Sequence, residues 1–287
     1  MIWLALGATL LGLAAVVYWQ FIIAEGAYLG PRVVAWTYDL IARRYDAIKR
    51  FVPYYENWFI TTPLLQALDG RERPLVLDVA TGTGRLPLLL LSAHFQGYII
   101  GLDFSRQMLR QARAKLRSYS GQSGWVWHDA SHLPFASGTF DAVTCLESLE
   151  FMPRPRQVLA EMVRVLAPGG VLFVTNRIGR EARLLPGRVW PRSALPQVLT
   201  RLSLAQVQIE PWQPDYDLVM GRKAALPERR AGNGVAGQSL ADLLRCPQCG
   251  GPLQPGVARL SCPACGLHYA IREGIVHLAA PMKGGSA

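Results

Sequence analysis

Charge is missing from the start of this chain: between Met1 and Ala24 there is no acidic or basic side chain. An exposed helix of a soluble domain needs a polar face, so that reading is excluded for this segment. Cysteine is scarce. Of the five present, four form two Cys-x-x-Cys pairs near the C-terminus and only Cys145 lies elsewhere, which excludes a disulfide framework for the bulk of the chain. A lysine-rich block is also lacking, because the basic residues behind the net charge of +10 are mostly arginine and lie scattered. That distribution favours contact with an anionic surface, lipid headgroups or RNA, without choosing between them. The absence of internal repeats excludes a solenoid.

At 287 residues and 51% hydrophobic, the chain can bury one sizeable core and still carry a small accessory module. The uncharged start is almost continuously apolar and would form roughly 30–35 Å of helix, enough to cross a hydrocarbon core. Trp3 at one end and Tyr18 with Trp19 at the other suit the two interfaces. Nothing basic precedes the run, unlike a cleaved signal peptide. Arg32, Arg43, Arg44, Lys49 and Arg50 follow it, so the positive-inside rule predicts a single-pass membrane protein with its bulk in the cytoplasm. A buried or re-entrant helix is the plainer alternative. Next, Tyr38, Ile41, Tyr45 and Ile48 recur at helical spacing between Val34 and Phe51, the pattern of a core face.

Beyond this point strand-like and helix-like segments alternate. Strands are expected at Leu75–Val79, Gly97–Asp103, Trp125–Trp127, Ala142–Leu146 and Val171–Thr175, with a last hairpin near Ala205–Ile209 and Tyr216–Met220. The expected fold class is α/β: a Rossmann-like, doubly wound, mostly parallel sheet with its ligand at the carboxyl ends of the strands. Around it we expect an anchor over residues 1–24, a catalytic domain over 30–223, a linker over 224–240 and a metal-bound ribbon over 241–280.

The segment from Val76 to Arg85 runs a strand into a glycine loop, Asp78-x-Ala80-Thr81-Gly82-x-Gly84. Glycine is needed where backbone passes against a ligand. A dinucleotide fold has such a loop too, with an acid about 20 residues later that Asp103 would supply. Its third glycine is absent, with Pro87 at that place. Asp78 beside the loop suits a ligand bearing an ammonium and a sulfonium better than a pyrophosphate.

On these residues the chain resembles the class I S-adenosylmethionine-dependent methyltransferases, and among them the small-molecule group that includes the ubiquinone and menaquinone methyltransferases. The resemblance covers about Trp36 to Arg222 and rests on five ordered motifs: the glycine loop; Ile99 to Asp103; His128 to Phe135; Phe140 to Cys145; and Arg164 to Gly170. It implies that Ala80, Thr81, Gly82 and Gly84 wrap the methionine part of S-adenosylmethionine, that Asp103, followed by Phe104, accepts the ribose hydroxyls, and that Asp129 and Ala130 meet the adenine. Tyr45 would contact the cofactor from a lid helix. The acceptor would lie at Leu146 to Met152, with Glu147, then Glu150, as candidate base; Glu147 can instead hold the cofactor's amino group. An Asn/Asp-Pro-Pro-aromatic stretch is absent there, which counts against amide or exocyclic amino nitrogen as acceptor.

Other residues have plainer readings. His94, His128 and His132 form no metal-spaced cluster and are expected at the surface or behind the site. Cys145 reads as a small buried apolar residue. The stretch from Arg177 to Leu199, rich in arginine, reads as an acceptor-binding and membrane-facing insertion or as a solvated loop.

Cys246, Cys249, Cys262 and Cys265 put two thiolates on each of two tight knuckles, and the 12-residue excursion between the pairs lets them meet around one tetrahedral zinc ion. About 40 residues cannot bury enough core to fold unaided, so a structural Zn2+ is physically sensible. Leu243 to Leu278 resembles the small zinc-ribbon activator of tRNA and release-factor methyltransferases, implying a module fused in cis that can pack on the catalytic domain. Ala270 and Val276 stand where that pattern often has proline. Three readings follow: a membrane-anchored enzyme methylating a lipophilic small molecule, quinone- or lipid-like; an RNA or protein methyltransferase docked through the ribbon; or a non-catalytic scaffold that keeps the fold.

Overall fold

A computed structural model describes residues 1–225 and 239–279. Most of the expected linker therefore lies outside the described residues. Among the described residues, eleven strands form one sheet in the order β6-β7-β5-β4-β1-β2-β3-β11-β10-β9-β8. They are β1 (Leu75–Val79), β2 (Tyr98–Asp103), β3 (Ser123–Trp127), β4 (Phe140–Cys145), β5 (Leu166–Arg177), β6 (Leu204–Gln213), β7 (Tyr216–Lys223), β8 (Gln254–Gly256), β9 (Arg259–Ser261), β10 (His268–Arg272) and β11 (Ile275–His277). The centre, β5-β4-β1-β2-β3, is parallel, and β6-β7 form the predicted antiparallel hairpin beside β5. All of β1 and β4 is buried, as expected of strands covered by helices on both faces. Cys145 ends β4 fully buried, and burial pushes its thiol well above the ordinary range.

Strand order reverses between β1 and β4, where Asp78 is paired with both Gly101 and Thr144. A crevice must open there, because the chain leaves the two strands in opposite directions. Gly101 is required at this level: a Cβ would stand 2.6 Å from the Trp125 ring and 2.9 Å from Thr81.

The C-terminal ribbon continues the sheet. β11 lies parallel to β3, with Ile275, Val276 and His277 beside Trp125, Val126 and Trp127. Leu244, Leu260, Tyr269, Val276 and Leu278 share one core with Leu77, Phe135 and Phe140 of the catalytic sheet. The Arg245 N–H also donates to the Pro134 carbonyl at 2.8 Å. Ribbon and catalytic sheet are thus joined by hydrogen bonds and by apolar packing.

At the other end, Ile2–Ile23 is a helix of 22 residues, about 33 Å long. Its first part, Ile2–Tyr18, buries no side chain. By length and composition it could cross a membrane; a signal sequence meets the same test. The chain then turns at Gly26, whose φ of +79° and lack of a Cβ, which would meet Val33 at 2.9 Å, fit only glycine. The Arg177–Leu199 stretch fixes this exit. Arg188 donates to the carbonyls of Ala27 and Met152, both at 2.6 Å, and covers the Tyr28 ring at 4.2 Å. Trp19 donates to the Leu184 carbonyl at 2.9 Å and stacks on Tyr28 at 5.1 Å. The predicted helical stripe from Tyr38 to Ile48 is only half right. A tight turn at Ala42–Arg44 separates helix Pro31–Ile41 from helix Tyr45–Lys49, so Tyr38 and Tyr45 line the crevice while Ile41 and Ile48 point to the outside.

Candidate active site

The glycine loop between β1 and helix Arg85–Ser92 has a division of labour. Gly84 (φ +76°) is needed for packing, since a Cβ there would stand 2.7 Å from Leu116 and 3.0 Å from Ala112. Gly82 (φ +54°) faces open space. Between Gly82 and β1, Ala80 also adopts a left-handed conformation, φ +54°, at a cost of about 1 kcal/mol for a side chain. The Gly82 N–H donates to Asp103 at 2.8 Å, and the Ser105 N–H donates to the other oxygen of the same carboxylate at 2.8 Å. Burial raises the Asp103 pKa to about 6 against these bonds. Each carboxylate oxygen keeps a free lone pair for a ligand. Asp78 is 3% exposed. It accepts from Thr81 at 2.6 Å and Thr144 at 2.7 Å, and burial lifts it to about 6. Its first task is therefore to hold the loop.

Around Asp103 the crevice is lined by Tyr38, Tyr45, Phe104, Asp129, Ala130 and Ser148. Asp129 accepts the Ser131 N–H at 2.7 Å. Of His94, His128 and His132, the first and last are exposed. His128 lines the crevice, and burial lowers its pKa to about 4, which leaves a neutral ring. The lid helices are tied down from below. Asp39 accepts from Ser105 Oγ at 2.5 Å and from the Gln107 N–H at 3.0 Å, and Asp46 accepts from Thr83 at 2.5 Å. Open space at Gly82, a carboxylate with two free lone pairs and a crevice floored by Ala130 fit a nucleoside with a short amino-acid arm, the shape of S-adenosylmethionine.

A second cavity has a volume of about 670 Å3, within the ~300–1,000 Å3 range of small-molecule sites. A narrow junction floored by Asp78 and Gly82 shares Tyr45 with the first cavity and Phe51 and Glu147 with the second. Glu147 (φ +51°) is held by its own N–H to Thr175 at 2.7 Å. Its carboxylate pairs with Arg85 at 2.6 Å and Lys49 at 3.1 Å. Burial would raise its pKa, but the two cations outweigh burial and hold it below its ordinary value. The Glu147 carboxylate is thus held ionised between two cations. Glu150 is the opposite case: it accepts from the Tyr216 hydroxyl at 2.5 Å, lies 4.0 Å from Arg177, and burial brings it up to about 7. Tyr216 and Arg177 line the second cavity, with Glu25, Lys49, Tyr55 and Trp212.

The four predicted thiols meet. All Sγ atoms lie within 4.8 Å of one another, close to the ~3.8 Å edge of a ZnS4 tetrahedron. Each knuckle closes the same way: the Gly250 N–H donates to the Cys246 carbonyl at 2.8 Å and the Gly266 N–H to that of Cys262 at 2.9 Å, both glycines at positive φ. The donor set fits structural zinc. The Tyr269 hydroxyl stands 3.1 Å from Cys246 Sγ.

Residues 76–170 match the family model for a methyltransferase domain, and residues 238–274 match that for Trm112p-like protein. The chain is 33% identical over 165 residues to the ubiquinone/menaquinone biosynthesis C-methyltransferase UbiE of Syntrophotalea carbinolica, covering 56% of this chain and 69% of that protein. The namesake from Desulfotalea psychrophila is 36% identical over 53% of this chain and 58% of its own length. The demethylmenaquinone methyltransferase of Desulfitobacterium hafniense is 32% identical over 47% of this chain and 55% of its own. The chain therefore spans little more than half the length of several curated relatives. A solved structure described as a complex between the Haloferax volcanii Trm112 methyltransferase activator and the putative methyltransferase aligns with a TM-score of 0.54 at 18% identity, over 67% of this chain and 98% of that one. The CurJ carbon methyltransferase aligns at 0.52 and 19% identity, over 59% of this chain and 54% of that one. At these identities the likeness is one of fold.

Proposed function

Because this chain belongs to the S-adenosylmethionine-dependent methyltransferases that include the ubiquinone/menaquinone C-methyltransferases, we propose that it methylates a ring carbon of a quinone-like aromatic acceptor drawn from the bilayer. In this reading the N-terminal helix is a single-pass anchor and the catalytic domain is cytoplasmic. The small pocket between the two cavities, which shares Tyr45 and Gly82 with the first and Phe51 and Glu147 with the second, carries it. The second cavity has aromatic walls for a flat ring and cations for an oxygen that becomes negative.

S-adenosylmethionine, when bound, supplies a methyl group already activated by its sulfonium, so the protein's share is alignment and the handling of a proton. Asp103 would hold the ribose hydroxyls, the Asp129–Ala130 turn the adenine, and Tyr45 the roof. Arg177 and Lys49 would stabilise the deprotonated ring oxygen. Tyr216 would pass the hydroxyl proton to Glu150, and the hydrogen displaced from the ring carbon leaves as the net proton released. Trp212 and Tyr55 would flank the ring and keep water away.

Because Glu150 must be ionised to accept a proton, kcat is expected to rise with pH through about 7 and then level off. Glu150→Gln should flatten that rise and lower kcat by about 10²–10⁴-fold. Folding is linked in the opposite sense. The folded-state pKa is raised, so the stability Glu150 contributes is full below its unfolded value and is lost as pH rises through about 7. Glu150→Gln should accordingly be no less stable than the parent at pH 8, which separates lost chemistry from lost fold. An unchanged pH–rate profile would remove Glu150 from the reaction.

The activity itself is tested by transfer of labelled methyl from S-adenosylmethionine into an extract containing membranes, RNA and protein. Label in the solvent-extractable fraction, lost with Asp103→Ala, is the expected result. Label in RNA or protein, or none above that control, would overturn the proposal.

A further inference from the structure

The helices that roof the cofactor crevice have a second face. In Pro31–Ile41, Val34, Ala35 and Tyr38 look into the crevice. Arg32, Trp36 and Leu40 recur every four residues on the other side, and Trp36 and Leu40 are 56% and 65% exposed. The exposure continues along the chain through Ile48 and Val52 to Tyr54 and Trp58, which are 71% and 66% exposed. Single exposed apolar residues are ordinary on soluble proteins. Here they are concentrated over successive helices, the composition from which interaction surfaces are built.

Three observations commit the occupant to a phospholipid surface. The first is continuity: the run begins shortly after Ile2–Ile23, and the connection is rigidly held by Gly26, by Arg188 on two carbonyls and by the Trp19–Tyr28 stack. If the apolar helix is in a bilayer, this face is kept close to it. The second is charge. Arg32, Arg43, Arg44 and Arg50 are all exposed along the same segment, whereas its acids Asp39 and Glu56 are engaged inward, with Ser105 and Arg85, and the exposed Asp46 is neutralised by Lys115. The third is composition, since tryptophan, tyrosine and leucine interleaved with arginine is the makeup of a segment lying in the headgroup region.

We propose that the outer face of the helices over residues 31–61 rests on an anionic bilayer, as a membrane contact additional to the N-terminal helix. Val52, Tyr55 and Phe59 also line the second cavity, so the wall of the acceptor pocket is itself the lipid-facing surface and an acceptor enters sideways from the membrane. The inference rests on the membrane reading of Ile2–Ile23, and the experiment separates the two. Full-length protein is placed in phosphatidylglycerol-containing vesicles with acyl chains brominated near the headgroup. Tryptophan emission is compared with two variants, Trp36→Phe/Trp58→Phe and Trp3→Phe/Trp19→Phe. The emission removed by the first pair is expected to be quenched about twofold or more by brominated lipid, as for side chains seated ~5–10 Å into the interface. If the second pair is quenched and the first is not, the face is solvated or covered by protein and this inference falls while the anchor stands. If neither is quenched, the anchor falls with it.

Discussion

Asp103→Ala should weaken binding of S-adenosylmethionine by about 10²–10⁴-fold, the worth of two hydrogen bonds to a charged group at about 1.5–3 kcal/mol each. The loss has two sources. The ribose loses its acceptor, and the N–H groups of Gly82 and Ser105, both satisfied by this carboxylate, lose theirs. Asp103→Asn, which retains one acceptor oxygen, should fall between. Calorimetric titration gives the affinities, and a thermal melt of each variant shows whether the loop has lost its fold as well. An affinity within tenfold of the parent would mean that the crevice at the switch point does not hold a ribose through Asp103.

Removing the metal should have a comparable effect on stability. Structural zinc contributes about 10–16 kcal/mol in isolated zinc-finger peptides. If even about 5 kcal/mol is transmitted here, a domain of this size should melt roughly 10–20 °C lower. Transmission is expected because β11 hydrogen-bonds β3 and the ribbon shares its core with β1 and β4. The damage should reach the cofactor crevice through Trp127, which stacks on Phe104 at 6.1 Å, donates to the Phe104 carbonyl at 2.8 Å and meets His277 of β11 at 5.2 Å. Chelation, or Cys262→Ser, should therefore lower cofactor affinity as well as the melting temperature. One zinc per chain in the purified protein and a melt that responds to chelator are the checks. A melt indifferent to chelator would mean that the four thiols pack without a metal.

What could be read in the sequence and what could not divide along physical lines. The central strands were legible because each is a short apolar run bounded by turn residues, and the knuckles because Cys-Pro-x-Cys-Gly is a local geometry. The glycine loop was legible as a loop, but not the separate tasks of its glycines, since the obstacle to a Cβ on Gly84 is Leu116, far along the chain. The surroundings of the two candidate bases were not legible, because Lys49 and Arg85, which pair with Glu147, arrive from distant segments. Glu150 stands in a buried position beside Tyr216. Glu25 and Tyr216 had no motif to announce them, because the cavity they line is assembled from five separate stretches. Arg188 and Trp190, taken as parts of an acceptor-binding insertion or a loop, are buried supports.

The parallel seam between β3 and β11 also bears on how the chain is made. β3 ends at Trp127 and β11 begins at Ile275, so at ~5–20 residues per second a ribosome would finish β3 roughly 7–30 s before its neighbour exists. During that interval the nascent sheet has a bare apolar margin of the kind that recruits foreign strands. Once β11 arrives, the margin passes outward to β8, a three-residue strand with Pro255 at its centre and every residue exposed. An edge so short, and lacking one donor, offers little to a stray chain. The ribbon thus leaves this side of the sheet with a margin that does not propagate, and on this side the vulnerable period is confined to synthesis.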